Sequence, residues 1–132
     1  MKGLIRDEAQ VVQAIDFKGV ENNKIHPSDI DAVFEFNNEL LILMEVKKKG
    51  VPIPTGQRLL LERLCDSWHT DKAVVLKVEH NVLKGAIPLS NCIVTQIYYQ
   101  GKWSETYKFL RHQLNRIGKY FNEPKCFFVE TN

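Results

Sequence analysis

Two apolar segments of the sequence are separated by a very short polar connection. Residues 31–36 read DAVFEF and residues 40–47 read LLILMEVK, with Asn37-Asn38-Glu39 between them. Apolar runs on either side of so short a polar loop predict a β-hairpin. If the loop consists of residues 37–39, residue 36 faces residue 40, and counting outward residue 31 faces residue 45. A loop one residue longer or shorter would turn the side chains of one strand to the opposite face of the sheet.

The predicted register places two carboxylates side by side. Side chains alternate along a strand, so Glu45 and Lys47 share one face of the second strand, and Asp31 lies opposite Glu45. The Cβ atoms of such a pair are about 5 Å apart, and like charges at that distance repel. A divalent cation such as Mg²⁺ removes the repulsion, because carboxylate oxygens are its usual protein ligands. Lys47 would then stand beside the ion, where it stabilises a developing anion or helps to activate a water.

The remaining sequence predicts one mixed α/β domain over residues 1–132. The predicted helices cover residues 4–15, residues 57–68 with Thr55 as N-cap, and the stretch from the N-cap Ser104 to about Phe121. The predicted strands after the hairpin cover residues 72–78, 92–99 and, more briefly, 126–129, and residues 14–20 are a further strand candidate. The order helix, hairpin, helix, strand, strand, helix favours a mixed sheet flanked by helices.

Composition excludes several classes of protein. The longest apolar run, residues 40–44, is too short to span a bilayer, and the first residues lack the apolar core of a signal peptide. The cysteines (Cys65, Cys92, Cys126) and the histidines are scattered, which argues against a zinc site and favours a reducing cytoplasm. The net charge is only +2, so any contact surface for nucleic acid has to be a local basic patch.

Two further polar residues are predicted to face the sheet. Glu8 falls in the middle of the apolar face of helix 4–15, where an acid is unusual unless it has a partner, and Arg6 is one candidate partner. Gln57 lies in the first turn of the next helix, on the apolar stripe formed by Leu60, Leu61, Leu64 and Trp68. Gln57 is alternatively an ordinary helix-start residue, and Lys47-Lys48-Lys49 a solvated charge run that closes the strand.

The last predicted helix has a basic face. Its apolar stripe contains Tyr107, Leu110, Leu114, Ile117 and Phe121, and the opposite side gathers Lys108, Arg111, His112, Arg116 and Lys119. Such a face either contacts phosphates or is simply solvated. Lys48 and Lys49 extend the phosphate path from the acids, whereas Trp103 favours core packing over stacking on a base.

The acids and the lysine also resemble a known signature. Asp31, then thirteen intervening residues, then Glu45-Val46-Lys47 resembles the PD-(D/E)XK nuclease motif, and PSDID at residues 27–31 is similar to the approach to its aspartate. The segments PTGQRLLLERL and KAVVLKV are most similar to small stand-alone nucleases of phage and bacteria, of the virus-type replication-repair nuclease (VRR-NUC) or Holliday junction resolvase type. The resemblance covers roughly residues 4–80; residues 81–132 match no pattern of the family.

The resemblance implies a restriction-endonuclease-like core, α-β-β-β-α-β, here followed by the basic helix. It implies that Asp31, Glu45 and the backbone carbonyl of Val46 bind the metal and that Lys47 is the catalytic lysine. Glu8 and Gln57 would be the auxiliary acid and glutamine. Glu21 remains an alternative to Glu8, and Asp29 an alternative to Asp31 unless it only shapes the turn after Pro27.

The expected activity is Mg²⁺- or Mn²⁺-dependent hydrolysis of phosphodiester bonds in DNA. The sequence shows no module for reading bases, so structure-specific or weakly sequence-specific cleavage of duplex, branched or flap DNA is expected. A homodimer acting as a junction resolvase is a sharper version, with Ile97, Tyr98, Tyr99 and Trp103 as interface candidates. The alternative is a non-catalytic nucleic-acid-binding or assembly module on the same fold.

Overall fold

The structure, a computed structural model, describes residues 18–19 and 29–128. These residues form an α/β fold. In chain order the elements are β1 (Ala32–Phe36), β2 (Leu40–Lys48), α1 (Thr55–Asp66), β3 (Ala73–His80), β4 (Ile93–Tyr99), β5 (Lys102–Phe109) and α2 (Leu110–Phe121), with 3₁₀ turns at Leu89–Asn91 and Pro124–Cys126. The predicted helix over residues 4–15, with Glu8, lies outside the described residues, as does Glu21.

The five strands form one mixed sheet in the order β1-β2-β3-β4-β5. The β2–β3 pair is parallel, and the other three neighbouring pairs are antiparallel. A parallel pair needs a crossover, and α1 supplies it between β2 and β3. The mixed sheet with helices, expected from the order of elements, is therefore confirmed.

The register of the β1–β2 hairpin agrees with the prediction. Phe36 pairs with Leu40 and Ala32 with Met44. Asn37 and Asn38 adopt positive φ angles of 54° and 59°, which asparagine tolerates better than most residues, and Glu39 N–H donates to Phe36 C=O at 2.9 Å. The loop therefore has the length that places residue 31 opposite residue 45.

Each face of the sheet buries a separate apolar cluster. Even-numbered residues of β2 and β3 pack with Leu110, Leu114 and Ile117 of α2. Odd-numbered residues pack with Leu61 and Cys65 of α1. The period-2 alternation of the strands thus assigns every side chain of β2 to either the α1 face or the α2 face.

The predicted last helix begins too early. Residues 102–109 continue from the Gln100-Gly101 turn as β5, which pairs with β4, so Ser104 is not an N-cap and Tyr107 and Lys108 are strand residues. Tyr107 is exposed rather than part of the buried stripe of α2. A positive-φ turn at Gln100 and Gly101 suits a two-residue hairpin, and Trp, Thr, Tyr and Phe in the segment favour a strand.

Helix α1 also differs from its predicted form. It begins at Thr55 itself, with Pro54 in the N-cap position and no side-chain cap, and it ends at Asp66. Its buried residues are Leu61 and Cys65, whereas Leu64 is exposed and Trp68 lies beyond the helix. The Trp68 indole N–H donates to Glu39 C=O at 2.9 Å, which ties the end of the helix to the hairpin loop.

The predicted strand over residues 126–129 does not begin within the described residues. Residues 124–126 form a 3₁₀ turn rather than the start of a strand, 127–128 have no regular structure, and Val129 lies outside the described residues.

Within the described ranges, neither helix has the length and apolar character that crossing a bilayer requires.

Candidate metal centre

Asp31, the residue just before β1, lies beside Glu45 of β2. The pairing of Ala32 with Met44 places Asp31 opposite Glu45. Asp31 Oδ2 accepts the Val46 N–H at 2.7 Å, so the Asp31 carboxylate takes the position that a main-chain acceptor of a longer β1 would occupy. This hydrogen bond fixes the Asp31 side chain against the backbone next to Glu45.

The carbonyl of Val46 points toward the same edge of β2 as Asp31. Leu41 and Lys49 donate their N–H groups to the β3 side, to Lys72 and His80, so odd-numbered residues of β2 bond to β3. The even-numbered Val46 therefore directs both its N–H and its C=O toward β1, which does not extend far enough to pair with it. The predicted carbonyl ligand therefore faces the same edge of β2 as the Asp31 carboxylate.

Glu45 is buried and carries an unsatisfied oxygen. Glu45 is 1% exposed, and its Oε1 has no hydrogen-bond partner within the described part of the chain. The pKa of Glu45 is raised to about 7, mainly by burial. The charge of Asp31 and a hydrogen bond between the two carboxyl groups also raise this pKa, whereas the nearby Lys47 lowers it. The site therefore holds more negative charge and more acceptor oxygens than its neighbours satisfy, which a cation would correct.

Lys47 lies next to Glu45 on the α1 face of the sheet. Its Nζ is 3.5 Å from Glu45 Oε2, and its side chain is 23% exposed. The ammonium group is thus held by the acid on one side and reaches solvent on the other. An anion beside the acids could therefore accept a hydrogen bond from Lys47 Nζ.

Gln57 and Asp29 form a supporting contact. Gln57, half-buried in the first turn of α1, donates from Nε2 to the Asp29 C=O at 2.9 Å. The structure therefore connects Gln57 to the backbone that leads into β1, two residues before Asp31, and Gln57 makes no hydrogen bond to either acid. Its observed role is to position the segment that carries Asp31.

Sequence reasoning missed a second charged pair on the same face. Lys77 faces Glu45 across the β2–β3 pair, and its Nζ is 2.9 Å from Glu79 Oε2. Glu79 also accepts from Gly50 N–H and Thr95 Oγ1, both at 3.2 Å. Burial alone would raise the pKa of Glu79, but these partners lower it. The available signal was a lysine inside the apolar run AVVLKV, followed two residues later by an acid.

The predicted phosphate-binding residues divide between two places. Lys48 and Lys49 are exposed at the end of β2, close to the acids. Arg111, Arg116 and Lys119 lie on α2, which packs on the opposite face of the sheet from Glu45 and Lys47, and Lys108 is an exposed residue of β5. The basic helix is therefore not adjacent to the candidate metal centre.

The proposed dimer-interface residues also separate. Tyr98 is buried on the α1 face, donates to Asp66, and packs against Trp103 with 5.3 Å between ring centroids. The Trp103 indole donates to Glu62, in agreement with the core role favoured for it. Ile97 and Tyr99 belong to the α2 face, so these four residues do not form one surface.

The metal-ligand set is small. Across residues 18–19 and 29–128, no three or more His, Cys, Asp and Glu side chains gather closely enough to hold a metal. Two carboxylates with a carbonyl nonetheless fit Mg²⁺, which usually keeps several waters and uses one or two protein carboxylates with substrate phosphates. The unsatisfied oxygen of buried Glu45 is the observation that supports this fit.

Comparison with models of protein families, with curated protein sequences and with solved structures gives no match for this chain.

Proposed function

We propose that this chain is a metal-dependent nuclease that hydrolyses phosphodiester bonds in DNA. The observation that carries the proposal is the meeting of Asp31 and Glu45 on paired strands, with the Lys47 ammonium group 3.5 Å from Glu45 Oε2. The resemblance to the PD-(D/E)XK signature supports it, as does a mixed sheet with one helix on each face. Cleavage directed by DNA structure, including junction resolution by a dimer, is the form of the activity that we favour.

The roles of the residues follow from their positions. Asp31, Glu45 and the Val46 carbonyl would hold Mg²⁺ or Mn²⁺. Bound there, the ion supplies charge that polarises the scissile phosphate and lowers the pKa of a water. Lys47 lies where it can donate to a non-bridging phosphate oxygen and stabilise the charge that develops as water attacks phosphorus and the 3′ oxygen leaves. Gln57 keeps Asp31 in place through the backbone of Asp29.

Cleavage assays test the proposal directly. Supercoiled plasmid, linear duplex, flap and four-way-junction DNA, and RNA, are incubated with Mg²⁺, Mn²⁺ or EDTA. We expect Glu45→Gln and Lys47→Met to lower the rate about 100-fold or more, as losing one electrostatic stabiliser does in other enzymes. Asp31→Asn should also stop cleavage while keeping an acceptor for the Val46 N–H. Glu105→Gln and Lys84→Met, exposed residues elsewhere, are matched controls that should stay within about twofold.

One observation favours a second function, a non-catalytic nucleic-acid-binding or assembly module. Asp31 already accepts the Val46 N–H at the start of β1, which is a structural task. DNA binding by anisotropy without cleavage in either metal would support the module. Cleavage that persists in EDTA or in Glu45→Gln would contradict the proposed nuclease site.

A further inference from the structure

A cavity among the described residues lies on the opposite face of the sheet from the acids. It has a volume of about 550 Å³ and opens between α2 and strands β3 to β5, with Val74 and Ile97 at its base and Ile117 on the helix side. Binding sites for small molecules commonly have volumes of about 300–1,000 Å³ and mostly apolar walls with a few polar groups. This cavity therefore has the size and lining of a ligand site that the proposed cleavage chemistry does not use.

Aromatic rings form one side of the cavity. Tyr99, Tyr120 and Phe121 all line it. The rings of Tyr99 and Tyr120 meet edge to face at 5.9 Å between centroids, and Tyr120 is 71% exposed. An exposed aromatic ring at the mouth of an apolar cavity offers a stacking surface for a planar ring, as aromatic side chains do for unpaired bases.

The charge at the cavity is positive. Arg116 and Lys119 line it, and of the described residues that line it none is acidic. Ser104 adds a hydroxyl group at the same rim. An anionic group on the ligand would therefore be attracted to the α2 side of the opening, where an arginine and a lysine can both reach a phosphate.

Gln113 supplies an independent indication of a polar ligand. It lines the cavity, is 4% exposed, and its Oε1 has no hydrogen-bond partner within the described part of the chain. Buried side-chain oxygens normally have a partner. The terminal torsion of a glutamine side chain is broad, so a small rotation can present Oε1 to a donor inside the cavity. Every nucleobase carries an N–H group on its pairing edge that can donate in this way.

We propose that this cavity binds one unpaired nucleotide. The base stacks against Tyr120 and donates to Gln113, and its phosphate lies between Arg116 and Lys119. The same chemistry is offered by a free nucleoside monophosphate and by an unpaired nucleotide within a strand. The proposal does not depend on cleavage at the acidic site, because it needs neither the metal nor Lys47.

Binding is measured in EDTA, so that metal-dependent contacts at Asp31 and Glu45 are absent. Titration calorimetry measures the affinity for each probe. The probes are dTMP and dAMP, thymidine, inorganic phosphate, a single-stranded oligonucleotide, and the same oligonucleotide as a blunt duplex. Binding of the monophosphates and the single strand assigns a site for free nucleotides. Binding of the single strand alone assigns the site to nucleotides within a strand. Equal or tighter binding of the duplex, or binding of phosphate alone as tight as dTMP, overturns the proposal.

Variants locate the site. Tyr120→Ala should weaken binding about tenfold, the usual scale of one lost base–aromatic stack, and its exposure makes loss of folding a minor concern. Arg116→Glu and Lys119→Glu, made as separate variants, should each weaken it about tenfold. Lys84→Glu, an exposed lysine outside the cavity, controls for the change of net charge and should stay within about twofold. Circular dichroism confirms that each variant is folded. An equal loss in Lys84→Glu, no loss in Tyr120→Ala, or no binding by the wild-type protein would overturn the proposal.

Discussion

Glu45 shows how one residue combines a structural cost with a chemical use. It is the acid of β2, is 1% exposed, faces Asp31, and has an unsatisfied oxygen within the described part of the chain. A buried acid beside a second carboxylate destabilises the metal-free fold when both are ionised. Placing such a pair on adjacent strands is therefore unfavourable for stability alone, and a bound cation is the simplest physical compensation.

Glu45→Gln should change how stability depends on pH. The pKa of Glu45 is raised from 4.5 to about 7, so between these values the folded protein holds a proton that the unfolded chain has released. Raising the pH from 5.5 to 8 in EDTA should therefore destabilise the wild type relative to Glu45→Gln by about 2 kcal/mol, at about 1.4 kcal/mol per pH unit up to the folded pKa of about 7. Urea unfolding at pH 5.5 and pH 8 measures this difference. A constant difference between the two proteins would contradict the assigned environment of Glu45.

Lys77→Met should have a pH dependence of opposite sign. Lys77 and Glu79 are a largely buried pair, with side chains 8% and 14% exposed. Removing the ammonium group leaves Glu79 with only Gly50 and Thr95 as partners, which should cost about 3 kcal/mol at neutral pH. The pKa of Glu79 is lowered in the fold, so the stability it contributes is present above about pH 4.5 and is lost as the pH falls. Unfolding curves should show that Lys77→Met loses much of the free energy of unfolding at pH 7 and little at pH 3.5, relative to the wild type. Equal losses at the two pH values would argue against the Lys77–Glu79 pair.

Among the elements, the hairpin was the most predictable from sequence. Its register depends on two local features, namely the alternation of side chains along two strands and a loop of residues that tolerate positive φ. Both features can be recognised in the amino-acid sequence. The relation of Asp31 to Glu45 follows from that register. The site was thus predictable as far as it is built from one hairpin.

The elements after β3 were harder because their pattern is ambiguous. In β5, the exposed Tyr107 lies three residues before buried Leu110, so the strand residue fits the helical period of the following segment. Pairing with β4 decides the structure of 102–109, and this is a tertiary contact. Lys77 was missed for a different reason: the strand was recognised from its apolar residues, although alternation along the strand places Glu79 on the same face as Lys77.

Helix α2 depends on a glycine at its close contact with the chain that follows. After Asn122, which has a left-handed φ of 57°, the chain turns back so that Cys126 and Phe127 cover Gly118. A Cβ atom at Gly118 would lie 2.6 Å from Cys126 Cβ and 2.9 Å from the Glu123 carbonyl oxygen. Neither is the flexible end of a side chain, so the contact cannot be relieved without moving the backbone.

Gly118→Ala should therefore destabilise the protein, although alanine is the better helix former by about 1 kcal/mol. We expect a net loss of about 1–3 kcal/mol, as for other overpacked positions. Gly56→Ala in α1 is the matched control, because a Cβ atom there meets nothing within 4 Å, and it should be neutral or slightly stabilising. Thermal unfolding of both variants measures the contrast. Equal melting temperatures for the two would show that the C-terminal turn does not pack on Gly118 as described.

At the scale of the whole molecule, the sheet separates two chemically different surfaces. The acids, Lys47 and the Lys77–Glu79 pair lie with α1, and the basic residues of α2 and the aromatic cavity lie on the other side. A straight duplex over the acids therefore cannot also lie along α2. Nucleic acid that contacts both surfaces has to pass around an edge of the sheet, which a branched or single-stranded segment can do more easily than a stiff duplex. For the nuclease proposed above, this separation favours substrates with unpaired or branched parts.

Binding of a divalent ion should be visible in the stability of the whole molecule. An ion that binds only the folded state stabilises it by about 2.7 kcal/mol at a hundredfold excess over the dissociation constant. For a chain of 132 residues this corresponds to a melting temperature higher by roughly 5–15 °C. Mg²⁺ or Mn²⁺ at pH 8 should therefore raise the melting temperature of the wild type, and Glu45→Gln should lose most of the increase. Glu105→Gln should keep it, because Glu105 is an exposed residue of β5. An equal increase in Glu45→Gln would place the ion elsewhere on the protein, and the nuclease assignment would then lose its metal centre.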